Sequence, residues 1–270
     1  LDLMEIPMLL ENRGITHMHL DRNNFGHSDK TCQALDKWLK NARKLEELSL
    51  CRNNLQWLPT GGADSLALGS LKILRASKNY LKHFPESQPL EIQHDVHTNA
   101  VDQTIAEDVK NNFALLNVVD LSENEIVEIL PSISLCKSVR ELNLSSNQLS
   151  VLPNEIATLA HLESLNLSHN RLKNLPNNFG KLSKLQRLDV RENRLEALPA
   201  DLKGLVALES LYLSKNLIGK RDPAGNLPAS FCHLSSLSVC DLSCNNLTML
   251  PSKIGKLIKQ NGKMIIDRNI

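Results

Sequence analysis

The residues best suited to molecular recognition in this chain are basic and aromatic side chains between positions 169 and 212. Arginine and tyrosine are the side chains that most often anchor protein interfaces. The acidic residues Asp189 and Glu192 lie in the same stretch, so the alternative is a solvated surface held by internal salt bridges. The candidate partner-binding residues are His169, Arg171, Arg187, Asp189, Arg191, Arg194 and Tyr212.

Catalytic and metal-binding motifs are absent from the sequence. It contains no glycine-rich phosphate loop, no Gly-x-Ser-x-Gly turn and no His-Glu-x-x-His helix. His94 and His97 are close in sequence, but no set of cysteines or carboxylates around them has metal-ligand spacing. For Cys240 and Cys244, the repeat places the first in the core and the second towards a turn. We therefore predict a non-enzymatic protein without a cofactor or a metal site.

A recurring asparagine defines the elements that must position the candidate residues. Asn124, Asn147, Asn170, Asn193 and Asn216 follow one another at intervals of 23 residues. The frame around one of them is Leu162-x-x-Leu165-x-Leu167-x-x-Asn170-x-Leu172-x-x-Leu175-Pro176. The complete ladder of such positions is Asn23, Asn53, Asn79, Asn124, Asn147, Asn170, Asn193, Asn216, Asn245 and Asn269. A fixed internal period predicts a solenoid, in which each repeat buries its apolar side against the next one.

Each position of the frame has a physical role. The second and third leucines alternate with polar residues and so predict a short strand with one buried side. Stacked strands then form a parallel sheet, and the asparagine amide is expected to satisfy backbone groups in the turn that follows. The predicted exposed row at the centre of the sheet is His19, Ser49, Arg75, Asp95, Asp120, Asn143, Asn166, Asp189, Tyr212, Asp241 and Ile265. Arg187, Arg191 and Tyr212 should therefore lie close together on this side of the sheet.

Three stretches depart from the regular frame. Residues 86–115 are degenerate, and we expect a strand near 94–97 and a helix over 105–113. A further helix is predicted around Ala34, Leu35, Trp38, Leu39 and Ala42. The polar excess at 219–226 either carries contacts or is a tolerated insertion.

From Val139 to Pro251 the frame resembles the short intracellular leucine-rich repeat, with Leu-Pro following the Asn turn. It is similar to the Ras-group and Scribble-like subclass. The resemblance implies an α/β fold, namely a leucine-rich repeat solenoid with the shape of a curved horseshoe. Its parallel sheet would line the concave side, with short helices and turns on the convex side. We expect one domain over residues 1–270, with about 10–11 repeats, and we expect it to be a fragment of a longer array because both ends fall within repeats.

Composition narrows the class of partner. Lys and Arg total 31 against 30 Asp and Glu, which gives a formal charge of +1 and argues against nucleic acid. No apolar run approaches the ~20 residues of a membrane span, so no membrane insertion is predicted. The six cysteines lack the terminal clusters typical of secreted leucine-rich repeat proteins, which favours a reducing cytoplasmic compartment. N-glycosylation sequons at Asn143, Asn166 and Asn246 favour an extracellular location instead, although the repeat consensus itself generates them.

Three functions remain in competition. The leading hypothesis is a scaffold or adaptor in signal transduction that binds a protein partner through the concave sheet, with the resemblance implying small-GTPase signalling. The second is the docking or sensing arm of a kinase, cyclase or ubiquitin ligase. The third is an extracellular recognition domain. The identity of the partner and the oligomeric state are left open.

Overall fold

The computed structural model describes residues 14–39, 42–59, 68–84, 113–220, 227–254, 257 and 262–269. The chain divides into two compact units, Leu1–Val139 and Arg140–Ile270. The single domain over 1–270 and its continuation into a longer array stay predictions.

The first unit is built on parallel strands that the leucine pattern predicts. β1 (His17–His19), β2 (Glu47–Ser49), β3 (Ile73–Arg75) and β5 (Val118–Asp120) pair in this order, with Met18, Leu48, Leu74 and Val119 in register. A separate parallel pair joins β4 (His83–Phe84) to β6 (Glu128–Ile129). A short 3-10 helix covers Phe25–His27, and another covers Pro131–Leu135.

The helix predicted between the first two strands of this unit is confirmed as α1 (Asp29–Leu39). Its apolar side buries Leu35 and Leu39, and Trp38 packs edge-on against Phe25 with 6.1 Å between ring centroids. Ala42 lies beyond the end of the helix but is buried as well. The apolar spacing of α1 therefore seats it against the leucines of the core.

The second unit repeats the same arrangement with greater regularity. Its strands are β7 (Glu141–Asn143), β8 (Ser164–Asn166), β9 (Arg187–Asp189), β10 (Ser210–Tyr212), β11 (Val239–Asp241) and β12 (Lys263–Ile265). All five neighbouring pairs from β7 to β12 are parallel and in register. Short 3-10 helices at Asn154–Thr158, Phe179–Lys181 and Ala229–His233 return the chain between strands. Ile156 and Phe179 are buried in these helices, as expected for the predicted helical turns.

The core is a stack of leucines from the fixed slots of the frame. Leu165, Leu167 and Leu188 are at most 3% exposed, and so are their counterparts in neighbouring repeats. Cys240 takes one of these slots as a fully buried thiol, which confirms the prediction. Burial, with a smaller contribution from the charge of Asp241, raises the pKa of Cys240 to about 12. This thiol therefore packs as a small apolar group and stays protonated.

The asparagine ladder joins each repeat to the preceding one. Asn193 donates from Nδ2 to the carbonyl of Val190 at 3.1 Å in its own turn, and to that of Leu167 at 2.9 Å in the previous repeat. Its Oδ1 accepts the backbone N–H of Leu172 at 2.9 Å. Bonds of the same kind within and between repeats are made by Asn53, Asn79, Asn124, Asn170, Asn216, Asn245 and Asn269. The predicted role of the amide is confirmed, and it extends across the boundary between repeats.

The residue before each ladder asparagine adopts a left-handed backbone conformation. Its φ lies between 53° and 61°, although none of these residues is glycine. They are Arg22, Arg52, Lys78, Glu123, Ser146, His169, Glu192, Lys215, Cys244 and Arg268. This conformation turns the chain out of the strand and aims the following asparagine into the core, at a steric cost of roughly 1–2 kcal/mol per residue.

The segments that connect the strands of neighbouring repeats approach each other closely at Gly180, in a 3-10 helix, and Gly204, in a turn. A Cβ atom at Gly204 would lie 2.1 Å from the carbonyl oxygen of Gly180, which no side chain tolerates. Lys181 and Lys203 lie beside these glycines and are exposed. Backbone contact therefore sets the spacing of the repeats on this side of the second unit.

Several predictions fall on residues that are not described. The strand near 94–97 and the spacing of His94 and His97 lie outside the described ranges. The helix over 105–113 does too, apart from Phe113, which is buried 6.0 Å from the ring of Phe84. Of the 219–226 loop, only Gly219 and Lys220 are described.

Replacing Asn193 with alanine should destabilise the second unit by about 2–4 kcal/mol, because the side chain satisfies several buried backbone groups at once. Equilibrium urea unfolding followed by circular dichroism measures the loss. Arg194→Ala is the matched control at the adjacent exposed position, with an expected change within about 0.5 kcal/mol. Equal unfolding midpoints for the two variants would contradict the role given to the ladder.

Ser146→Val should lower the free energy of unfolding by about 1–2 kcal/mol, because a β-branched residue is strained at a φ of 56°. The control is Ser150→Val, an exposed serine of the same repeat whose φ is not positive. Thermal melts of both variants test this. A melting temperature for Ser146→Val equal to that of the control would exclude backbone strain at this position.

Candidate functional site

The predicted cluster forms on the side of the second unit's sheet where alternate strand residues project away from the core, here called the strand face. Tyr212 on β10 is in register with Asp189 on β9. The guanidinium carbon of Arg187 lies 4.8 Å from the centre of the Tyr212 ring, and that of Arg191 lies 5.1 Å from it. Two cations from one repeat thus hold the aromatic ring of the next, an arrangement stabilised by attraction to the π electrons.

Asp189 lies beneath this cluster and not on the surface. It is 1% exposed, so the prediction that it projects to solvent is wrong. The physical reason is Arg191, which donates from Nε to Oδ1 at 3.0 Å and from Nη2 to Oδ2 at 2.7 Å. The hydrogen bonds that Arg191 donates to Asp189 are the main cause that raises the pKa of Arg191, against a smaller opposing effect of burial. A buried carboxylate requires such a partner.

This pair is a variant of a motif that recurs in neighbouring repeats. The usual form is Asp or Asn followed two residues later by Ser, whose hydroxyl donates to the first side chain at 2.7–2.8 Å. The pairs are Asp120–Ser122, Asn143–Ser145, Asn166–Ser168 and Asp241–Ser243. Arg191 takes the place of the serine and also reaches Tyr212. Arg191 therefore has a structural role, whereas Arg187 is available for other contacts.

Arg187 is exposed and has no side-chain hydrogen bond or ion pair with any described residue. The register places Ser164 on one side of it and Ser210 on the other. Both neighbours are small and partly exposed, so the guanidinium is open to solvent along the row.

The remaining candidates lie in the turns beyond the strands. His169 Nδ1 is 3.0 Å from Glu192, and Lys215 Nζ is 2.6 Å from the same carboxylate. The hydrogen bond from Lys215 is the largest cause that lowers the pKa of Glu192, and the neighbouring His169 adds to it. Here the alternative of internal salt bridges on a solvated surface is the better description.

Arg171 and Arg194 occupy the position after the asparagines and are exposed. Their backbone N–H groups bond to the carbonyls of Leu149 and Leu172, which keeps successive repeats in line. No contact joins their side chains to Tyr212 among the described residues, so they border the cluster and are not part of its centre.

A second polar cluster, in the first unit, is not predicted from the sequence as a group. Glu47 on β2 is bonded by Arg75, and its oxygens lie 3.9 Å from His17 Nε2 and 3.7 Å from His19 Nε2. The alternation of His17 and His19 on one strand was the available signal. The repeat frame aligned these strands, but it did not show that the side chains of Arg75, His17 and His19 converge on Glu47.

Two searches of the described ranges gave negative findings. No group of three or more His, Cys, Asp or Glu residues there is placed to hold a metal ion. No helix in the same ranges is long and apolar enough to cross a membrane.

A family model described as a leucine-rich repeat region matches residues 98–222. No curated protein sequence matches the chain. Together with similar solved structures, this match supports a leucine-rich repeat protein, and the fold is that of a leucine-rich repeat solenoid.

Three solved structures show the likeness. A TDR receptor has a TM-score of 0.67 at 24% identity, over 88% of this chain and 37% of its own. The PEPR1-AtPEP1 complex gives 0.66 at 26% identity, over 86% and 29%. The ectodomain of GASSHO1/SCHENGEN3 from Arabidopsis thaliana, in complex with CASPARIAN STRIP INTEGRITY FACTOR 2, gives 0.60 at 24% identity, over 87% and 28%. The chain thus spans well under half the length of these proteins.

The two arginines that contact Tyr212 should differ sharply in their effect on stability. Arg191→Met leaves Asp189 buried without its guanidinium, and we expect a loss of about 1–3 kcal/mol in the free energy of unfolding. Arg187→Met removes only an exposed cation–π contact, with an expected loss below about 1 kcal/mol. Urea unfolding of both variants measures the two losses. Equal losses would contradict the structural role given to the bond between Arg191 and Asp189.

Proposed function

We propose that this chain is a non-enzymatic protein-interaction module that binds a protein partner through the strand face of the unit Arg140–Ile270. The observation that carries the proposal is the ring of Tyr212, held between Arg187 and Arg191 on a flat, repeating surface. The leucine-rich repeat fold is consistent with protein–protein interaction, since it presents a long row of variable side chains on a rigid sheet.

The cluster has the physical properties of an interface anchor. Tyr212 is partly exposed, and two cations restrict its ring, so little side-chain entropy remains to be lost on binding. Aromatic and arginine side chains in such positions contribute most of the binding energy in protein interfaces. Ser210 on the same strand and Ser164 and Asn166 on β8 carry short side chains, so a partner segment can lie close to the sheet on this side.

We place this module in the cytoplasm and, through its resemblance to the Ras-group and Scribble-like subclass, in signal transduction as a scaffold or adaptor. The support is the state of the cysteines. All six lie in the described ranges and none of them forms a disulfide, and Cys32, Cys136 and Cys240 are buried. Proteins of oxidising compartments more commonly stabilise small repeats with disulfides.

A second candidate function is extracellular recognition, as the binding arm of a larger receptor or enzyme. One observation favours it: the ectodomain of the plant membrane receptor kinase GASSHO1/SCHENGEN3 aligns with 87% of this chain.

The test is affinity capture from cell lysate and from the extracellular fraction, followed by mass spectrometry. Wild type is compared with Arg187→Glu/Tyr212→Ala, which removes the exposed anchor and spares Arg191 and the buried Asp189. We expect a protein captured by wild type to be lost from this variant. The compartment of that protein distinguishes the two candidate functions.

The matched control is Lys181→Glu/Lys203→Ala, with one charge reversal and one truncation on the helical side of the same unit. It should retain the partner. Circular dichroism must first show that all three proteins are folded. A partner retained by the strand-face variant, or lost equally from both variants, would contradict binding through the strand face.

A further inference from the structure

Arg187 differs from the other arginines of the sheet in having no acidic partner. Among the described residues, the arginines in a strand or within two residues of one are Arg75, Arg140, Arg187 and Arg191. Arg75 bonds Glu47, Arg140 bonds Glu163, and Arg191 bonds Asp189. Three of these four arginines are therefore paired with a carboxylate of the chain itself, and Arg187 is the exception.

The nearby carboxylates are already engaged. Glu163 is bound to Arg140, and Asp189 is bound to Arg191. Burial acts to raise the pKa of Asp241, but hydrogen bonds from Ser243 and Ser214 and the charge of Arg191 outweigh it, so the pKa is lowered. None of these groups is placed to satisfy Arg187, which leaves its donors for a group from outside the chain.

The surroundings of Arg187 leave those donors accessible. Its guanidinium carbon lies 4.8 Å from the centre of the Tyr212 ring, and no side chain among the described residues accepts a hydrogen bond from its N–H groups. Ser164 and Ser210 flank it in the row, and neither hydroxyl is bonded to another described side chain. A planar acceptor can thus meet the guanidinium edge-on with two parallel hydrogen bonds, and the serine hydroxyls can add to them.

The charge along this row selects the kind of acceptor. In the row of residues in register with Arg187, Ser164 and Ser210 are its neutral neighbours. Two strands from Arg187, on β7, the same row holds Glu141, which is exposed. A polyanion such as nucleic acid requires a continuous row of cations, which this row does not provide. A single carboxylate in an otherwise uncharged segment fits an isolated arginine between two serines.

We propose that Arg187 is the receptor for the side-chain carboxylate of an aspartate or glutamate in an extended segment of the protein partner. This rests on the proposed function, and it assigns separate roles to the residues of the face. Arg187 binds the carboxylate, Tyr212 contacts the apolar atoms beside it, and Arg191 positions the ring from its bond to Asp189.

The experiment uses random peptides displayed on phage through their C-termini, so that no free terminal carboxylate is presented. They are selected in parallel on the immobilised full chain, on Arg187→Met and on Arg187→Glu. Peptides from the wild-type selection should be enriched in Asp and Glu, and should bind Arg187→Met about 10- to 100-fold more weakly. Arg187→Glu should select Lys and Arg instead.

Three controls make the result specific. Arg194→Met removes another exposed arginine that has no acidic partner among the described residues, and should leave peptide affinity unchanged. Arg187→Lys keeps the charge but not the two parallel bonds, so its affinity should be intermediate. Raising the salt concentration should weaken binding to wild type more than binding to Arg187→Met.

The outcomes separate this proposal from the proposed function. Peptides that are not acidic, or that bind Arg187→Met as well as wild type but are lost on Tyr212→Ala, overturn the carboxylate assignment alone. Peptides insensitive to both substitutions, or no selected peptide at all, count against both the assignment and binding through this face.

Discussion

The turns that follow the ladder strands contain carbonyl and N–H groups that are bonded by an asparagine side chain, such as the carbonyls of Leu167 and Val190 and the N–H of Leu172. A carboxamide offers two donors and one acceptor on a short side chain, which matches the groups that the turn and the preceding repeat leave unpaired. Asn193 meets this requirement at distances of 2.9–3.1 Å to its own turn and to the previous repeat. Because each amide bridges two repeats, none of these repeats satisfies its backbone alone, and the fold exists only as a stack.

This constraint also explains the strained residue before each asparagine and the freedom of the residues on the strand face. The left-handed turn aims the amide inward, and its steric cost is offset by the hydrogen bonds that follow. The leucines and asparagines stabilise the fold. The strand residues between them contribute only a local hydrogen bond between side chains two positions apart. A recurring Asp or Asn paired with the Ser two residues later supplies that hydrogen bond in four repeats. In the repeat of Asn193, Arg191 assumes it and in doing so places a cation against Tyr212.

The candidate site was partly predictable, since fixed repeat spacing places residues of adjacent strands side by side. The grouping of Arg187, Arg191 and Tyr212 followed from that spacing alone. The burial of Asp189 did not, because either arginine could have paired with it, and side-chain rotamers decide which one does. The cluster at Glu47 escaped for the same reason: the frame aligned its strands, but side-chain rotamers decide that Arg75 and the two histidines lie close to this carboxylate.

The sequence by itself determined the repeat, the parallel sheet, the buried leucines and the inward asparagines, because these depend on periodicity that each copy reinforces. It also determined α1, whose apolar spacing differs from that of the strands. Only the tertiary structure decided which arginine neutralises Asp189 and which remains open to a partner. The two candidates are alike in type and both lie near the carboxylate. The choice depends on side-chain rotamers around β9: Arg191 donates its backbone N–H and its guanidinium to Asp189, and Arg187 remains between two serines.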